Sequence, residues 1–549
     1  MECGITLASH DIRPSRSCRF LGVRLDQKLT GKDHISHIQV NGTKSLAALT
    51  SIAGSTWGIP TLGLRQIYRS IILPRALYCC SVWALGNNVN KDIETKLKNV
   101  IERIQSRAAR IIAGAYRATS KAALDIELFL LPAAQLIKKT MGEAFLRIAS
   151  SPLFEEIARL TEEKWGSHKR ASPTTSSPLL RIREQWKAKL GDENTANIER
   201  RLPHLFFPWW RPPPVEIAGS RELAVAQHNQ IRDNTEGVLI YTDGSAVNGH
   251  VGAAAIAPGM CTSRKRYIGS TRCTTVYAAE LQGIEMALEI AGTAISQGIT
   301  KFSAFTDNQA ALRALIHPGD HSGQQILASV ILKLQQLWGA GASFDFHWIP
   351  AHQGVPGNES ADALAKAAAQ QGRTLESGDR ATGPRTQDSL IAALRQSIHQ
   401  AVMEEWKKLW RESARGRQLF KVAPEPTRKS LELYRSTPRV LSSLIIQMRT
   451  GKIGLRHFLY QRKVPGVTSG ECECGQGLQT VSHVLYTCSR FNELRLTFRT
   501  LDEKGRRRWT TDLRKMLNQR STAIAAAKFM MATKLLGQFG AILYSQHEA

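Results

Sequence analysis

YTDGSAVNGHVGAAAIAP, residues 241–258, is the stretch whose reading decides the fold. The apolar run GVLIY leads into it and reads as a buried strand. That strand ends on Asp243, followed by Gly244 and Ser245. A buried strand closing on a bare carboxylate is placed for chemistry when further carboxylates reach the same edge. TTVYAAELQGIEMALEIAGTAISQG (274–298) reads as an amphipathic helix with Glu280 in its first turns. Ala279, Gly283 and Ala287 make its inner face small enough to pack closely on a sheet. KFSAFTDNQAALRAL (301–315) repeats the first design, an apolar strand closing on Asp307 and then a helix. FDFHWIPAHQGVPGNESADALAKAAA (344–369) reads as a strand, a Gly/Pro loop with His352, and a helix carrying Asp362. In α/β sheets the carboxyl edge of the strands is where sites form.

Taken singly, each residue has an ordinary reading. Asp243 suits a turn, Glu280 a first-turn acid favoured by the helix dipole, and Asp307 a helix N-cap. Asp362 alone is a surface charge and His352 alone a loop histidine. Four gathered carboxylates need another account, because unpaired they repel and some take up protons. Two divalent cations resolve the conflict. Mg²⁺ takes oxygen ligands in octahedral geometry, and a pair of such ions about 3.5–4 Å apart serves in-line phosphoryl displacement. No cysteine or histidine cluster lies among these four positions, which argues against zinc there.

The flanks differ in charge from this centre. Residues 236–375 carry nine Lys/Arg against ten Asp/Glu. Residues 1–235 carry a net +13 and residues 376–549 a net +15, for +27 over 549 residues. Two basic arms around a near-neutral block point to a polyanionic partner, nucleic acid before membrane. No uncharged apolar run reaches the ~18–20 residues of a membrane-spanning helix. IAAAKFMMATKLLGQFGAIL (524–543) comes nearest, but Lys528 and Lys534 make it a packed amphipathic helix. The N-terminus lacks a signal-peptide core. Nine cysteines in this length, six without ligand-like spacing, imply a reducing, intracellular compartment; the sequence leaves the nucleus open. The other three belong to Cys472-x-Cys474-x8-His483-x4-Cys488, a set that can hold structural Zn²⁺ tetrahedrally.

KNVIERIQSRAARIIAGAY (98–116) has helical periodicity, and CRFLGVRLD (18–26) is strand-like. FFPWWRPPP (206–214) cannot be helix, since proline removes donors and fixes φ, and its four aromatics are expected to dock it on a neighbouring surface. ASPTTSSP (171–178) and SGDRATGPRTQ (377–387) read as loops or linkers.

YTDGS, AELQGIEMAL, FTDNQAAL and HWIPAHQGVPGNESADALAKAA, in that order, resemble the four catalytic blocks of the ribonuclease H family. The resemblance implies an α/β fold, a mixed five-stranded sheet with flanking helices, between mostly helical basic N- and C-terminal regions. It implies an endonuclease that cuts the RNA strand of RNA–DNA hybrids with two Mg²⁺ (or Mn²⁺) ions. In that scheme Asp243 bridges both ions, and Asp362 completes the water-activating site. Glu280 and Asp307 complete the site facing the leaving 3′ oxygen. His352 assists proton transfer or product departure, and Gly244, Ser245 and Asn308 contact substrate. Cellular members carry two polar amides just before the helix glutamate, where this chain has Val276 and Tyr277.

CRFLGVRLDQKLTGKDHI and LRQIYRSIILPRALYCCSVWA resemble the segment downstream of the polymerase palm in non-LTR (LINE-type) retrotransposon reverse transcriptases. LIIQMRTGKIGLRHFLY and CECGQGLQTVSHVLYTC resemble the carboxy-terminal tail of those polyproteins. The implied organisation is a thumb-like remnant at 1–125 and a helical connection with a Pro/Trp-rich linker at 126–235. The ribonuclease H domain follows at 236–375, a linker and helical arm at 376–430, and a basic helical region with a CCHC zinc-knuckle-like cluster at 431–549. No Y/F-x-D-D motif precedes these blocks, so the palm is expected upstream of Met1 and no polymerase activity is expected of the chain. RKV (462–464) and KGRRRW (504–509) flank the Cys/His cluster and suit single-stranded nucleic acid. Two rival readings are a non-catalytic nucleic-acid-binding retroelement remnant and a DNA strand-transferring integrase or transposase of the same superfamily.

Overall fold

A computed structural model describes residues 5–7, 10–12, 15–84, 92–166, 177–377, 388–501 and 507–539. Most of ASPTTSSP and SGDRATGPRTQ and half of KGRRRW lie outside the described residues. The chain forms two compact units, one of residues 142–400 and one of residues 1–141 with 401–549.

The unit of residues 142–400 is built on a mixed sheet. Its strands are β1 (Val215–Glu216), β2 (Val238–Val247), β3 (His250–Ala257), β4 (Thr262–Ser270), β5 (Lys301–Thr306) and β6 (Ser343–Trp348). Their order is β1-β6-β5-β2-β3-β4. β1, β6, β5 and β2 run parallel, while β2, β3 and β4 form an antiparallel meander. The helices are α1 (Arg221–Asn234), α2 (Val276–Ile295), α3 (Gln309–Ile316), α4 (Gln324–Gly339) and α5 (Pro356–Ser377). β2, α2, β5, α3, β6 and α5 fall where the apolar patterns around Asp243, Glu280, Asp307 and Asp362 predict them.

Six strands stand where five are expected. The extra one, β1, follows directly on Arg211–Pro214, and the Pro214 carbonyl accepts from the Phe346 amide at 2.9 Å. The prolines hold the chain extended against β6, and two residues are too few to show a period. The aromatic run also divides. Trp210 stacks on Trp338 at 5.7 Å and donates to the Leu315 carbonyl. Trp209 is 74% exposed and stacks on exposed Phe207.

A second difference concerns Asp243 itself. Sequence reading ends the strand there, but β2 runs on to Val247, and the hairpin turns at Asn248 and Gly249, both at positive φ. That is the dihedral requirement of a two-residue primed turn. The antiparallel ladder with β3 carries β2 through Asp-Gly-Ser. The parallel ladder stops sooner, with Thr242 opposite Thr306 and Trp348 opposite Thr306. Asp243 and Asp307 are therefore each the first residue past the end of the parallel sheet.

The other unit is mainly helical. CRFLGVRLD forms the hairpin Ser17–Phe20 with Val23–Asp26, turning at Leu21 and Gly22. The predicted arginine-faced helix spans Ile93–Ala113 and packs on Lys32–Ser51. Segments far apart in sequence meet in a buried polar network: Glu127 accepts from Arg449 Nε at 2.7 Å and from the Tyr434 hydroxyl. Arg439 donates to the carbonyls of Gly54, Ile111 and Ile112. Among the described residues no helix is long and apolar enough to cross a membrane.

Candidate active site

Two close approaches assemble the site. A Cβ at Gly244 would lie 2.6 Å from the Glu280 nitrogen and 2.8 Å from the Ala279 carbonyl carbon. Only glycine lets the first turns of α2 sit against β2, beside Asp243. Thr275 caps α2 by accepting from the Ala278 amide, so the helix starts one turn before Glu280. On the opposite sheet face, a Cβ at Gly252 would lie 2.4 Å from the Ala365 carbonyl oxygen. That contact seats α5, which carries Asp362. Asp307 is not the cap of α3. Asn308 takes that role, accepting from the Ala311 amide at 3.0 Å, and leaves the Asp307 carboxylate free.

The result brings Asp243, Glu280 and Asp307 together, each offering an oxygen within 4.8 Å of the others. Asp243 is 5% and Glu280 3% exposed. Burial, then the charges of Asp307 and Asp362, push the Asp243 carboxyl up to about 7. Burial and the same kind of repulsion push Glu280 well above the usual carboxylate range, against donation from the Gly244 amide and the Asn308 side chain. Burial and the Asp362 charge raise Asp307, partly offset by the His352 imidazole.

Asp362 stands outside this tight trio. Its carboxylate is held by Lys366, one helical turn on, at 2.6 Å. Lys366 is a participant that sequence reading missed; its i,i+4 spacing after Asp362 was the available signal. His352 sits in the loop before α5, exposed, at φ 55°. Ser245 is half-buried on β2, and Asn308 contacts Glu280. Val276 occupies the first turn of α2, 38% exposed, and Tyr277 packs on the sheet core.

A buried, all-oxygen donor set whose members repel is matched to hard divalent cations rather than to zinc. The Cys/His set has a different character. Cys472 Sγ lies 3.7 Å from Cys488 Sγ, and Cys474 Sγ lies 3.2 Å from His483 Nε2, all four atoms within 4.8 Å of one another. The sulfur separation is far beyond the ~2.05 Å of a disulfide. It matches the edge of a tetrahedron around an ion about 2.3 Å from each sulfur. The Thr487 hydroxyl, 3.0 Å from His483 Nδ1, orients the ring so that Nε2 faces the thiols.

The family model described as RNase H matches residues 235–370. The Ribonuclease H of Polaromonas naphthalenivorans (strain CJ2) is 32% identical over 143 residues, 23% of this chain and 84% of that protein. The chain belongs to the ribonuclease H family. The Ribonuclease H of Acidovorax sp. (strain JS42) is 29% identical over 157 residues, covering 24% of this chain and 95% of that one. Among solved structures, LC11-RNase H1 in complex with an RNA/DNA hybrid aligns at 18% identity and TM-score 0.21, covering 25% of this chain and 99% of that one. Ribonucleases H cleave the RNA of RNA–DNA hybrids and use divalent metal ions, and this chain is a ribonuclease H-type enzyme.

Proposed function

We propose that the domain cuts the RNA strand of RNA–DNA hybrids endonucleolytically, with Asp243, Glu280, Asp307 and Asp362 holding two Mg²⁺ or Mn²⁺ ions. The observation that carries the reading is the trio of carboxylates, Asp243 and Glu280 buried and Asp307 half-buried, at the end of the parallel strands. Bound ions supply the Lewis-acid stabilisation of an in-line phosphoryl displacement. The chain's own residues do the rest. Gly244 and Asn308 fix the Glu280 carboxylate through the hydrogen bonds described. His352, exposed beside Asp307, assists proton transfer or product departure. Gly244, Ser245 and Asn308 line the substrate side of the trio. The order of the flanking sequence blocks supports a role within a non-LTR retroelement protein.

The test is cleavage of a labelled RNA–DNA hybrid with Mg²⁺, beside an Asp243→Asn variant and matched RNA and DNA duplexes. Hybrid-only cutting that the substitution abolishes is the expected result. Binding without cutting by the folded protein overturns the enzyme reading in favour of a non-catalytic nucleic-acid-binding remnant. Joining of DNA ends overturns it in favour of strand transfer.

The Cys/His set is proposed as a structural zinc site, supported by its tetrahedral spacing. Purified protein is expected to carry one zinc per chain by elemental analysis. A Cys472→Ser, Cys488→Ser variant is expected to lose it, with lower protection of the segment around 472–491 from protease. Metal-free protein with that segment equally protected rules the site out.

A further inference from the structure

The unit formed by residues 1–141 and 401–549 contains a cavity of about 800 Å³ whose lining holds six cationic side chains and no acidic one. They are Arg110, Arg117, Lys121, Arg415, Lys452 and Arg462. The first three come from the end of helix Ile93–Ala113 and the segment after it, the others from three separate parts of the C-terminal half. A second cavity of about 520 Å³ shares Arg110 and Lys121 with the first and adds Arg103 and Arg107. The two adjoin at these shared side chains and are treated together as one basic groove. Its single acidic lining residue, Glu102, is already paired with Lys121 at 2.6 Å.

Such convergence is costly without a ligand. Arg110 Nε is buried with no hydrogen-bond acceptor. Burial and then the Arg117 charge pull the Arg110 guanidinium below its ordinary range, and burial and Arg462 do the same to Lys452. Folding alone gives no reason to bring like charges from four segments into one concavity. A polyanion does, because a cleft lined by one sign of charge focuses its field on the ligand. The spacing along helix Ile93–Ala113 fits a repeating anion: Arg103, Arg107 and Arg110 fall on one face, about 5–6 Å apart at successive turns. Consecutive phosphates on a nucleic-acid strand repeat on a comparable scale. The aromatic Phe458 lies under two of the cations, Lys452 at 5.6 Å and Arg462 at 5.8 Å, and holds them over the groove.

We propose that this groove is a second nucleic-acid site, separate from the ribonuclease H carboxylates, that grips the phosphates of a polynucleotide strand. The proposal does not depend on cleavage, and its test is run without Mg²⁺ or Mn²⁺ and without a chelator, which leaves the proposed zinc in place, so that failure of the nuclease reading leaves it intact. The full chain is titrated against labelled single-stranded RNA, single-stranded DNA and an RNA–DNA hybrid, over a series of salt concentrations. The triple variant R117E/R415E/R462E changes exposed side chains of the groove. K28E/R69E/K429E makes the same change of charge at exposed positions of the same unit outside it. Each strand phosphate contact contributes about 0.7 to the slope of log K against log salt, so the groove triple is expected to lower the slope by roughly 2 and affinity by at least about tenfold. The control triple is expected to change either by much less. The three nucleic acids say which strand the groove prefers. Equal losses in both triples, or polyglutamate displacing the nucleic acid as well as unlabelled strand does, overturn the proposal in favour of diffuse surface charge. An unchanged slope in the groove triple overturns it as well.

Discussion

Replacing Asp243 by asparagine removes one of three clustered carboxylates, two buried and one half-buried, that repel one another. Its folded pKa, about 7, lies above the ordinary value near 3.8. A raised acid favours folding below the unfolded pKa, and that stability is lost as pH rises through the folded one. Well above pH 7 the charged side chain therefore costs the domain stability. In EDTA at alkaline pH, Asp243→Asn is expected to raise domain stability by roughly 1–2 kcal/mol by denaturant unfolding. Excess Mg²⁺ is expected to reverse the order, while hybrid cleavage falls on the order of 10²-fold or more. An asparagine variant less stable than the parent in EDTA contradicts the repulsion argument. Lys366 carries a second residue-scale prediction. Its ammonium competes with a cation for Asp362, and a partly exposed i,i+4 pair is worth about 0.3–0.5 kcal/mol. Lys366→Met is thus expected to lower the Mg²⁺ concentration for half-maximal cleavage about twofold; an unchanged or higher concentration refutes the competition.

At the scale of elements, the site depends on how closely α2 meets β2. A methyl group at Gly244 collides with backbone atoms of Ala279 and Glu280, which a rotamer change cannot relieve. Gly244→Ala is expected to cost about 1–3 kcal/mol and to reduce activity beyond what the stability loss explains, because Glu280 moves. Gly219→Ala meets nothing within 4 Å and serves as the control, with no change expected in either measurement. This is also the scale at which the sequence is most readable. The strands before Asp243 and Asp307 and the helix around Glu280 show their periods plainly, and their small residues announce close packing. The continuation of β2 past Asp243 is not readable, since Asp-Gly-Ser has turn composition and only the ladder with β3 overrides it. β1 is too short for any pattern. Thr487 matters through pairwise geometry that no motif encodes, whereas Lys366 is legible from its i,i+4 spacing after Asp362.

Over the whole molecule, the two units are expected to answer different solution conditions. Cations at the carboxylate trio stabilise only residues 142–400; at about 100 times the dissociation constant the gain is ~2.7 kcal/mol. Acid acts on the other unit through His34. That imidazole is 3% exposed, edge-on to Trp83 at 4.7 Å, and accepts from the Arg24 amide at Nδ1. Burial, then the His37 and Arg24 charges, depress it from 6.5 to about 4. A depressed base contributes stability that is present above the unfolded pKa and is lost as pH falls toward the folded one. The loss therefore runs between 6.5 and about 4 and amounts to roughly 2 kcal/mol by pH 5. Hydrogen exchange, normalised for intrinsic rates, separates the two effects. Mg²⁺ is expected to slow exchange in Val276–Ile295 and leave Lys32–Ser51 unchanged. Acidification to pH 5 is expected to speed exchange in Lys32–Ser51, and His34→Leu to remove most of that pH dependence. If the leucine variant keeps the full slope, the acid sensitivity belongs to carboxylates rather than to His34. If Mg²⁺ protects both helices alike, the ion acts on the chain generally rather than through the trio.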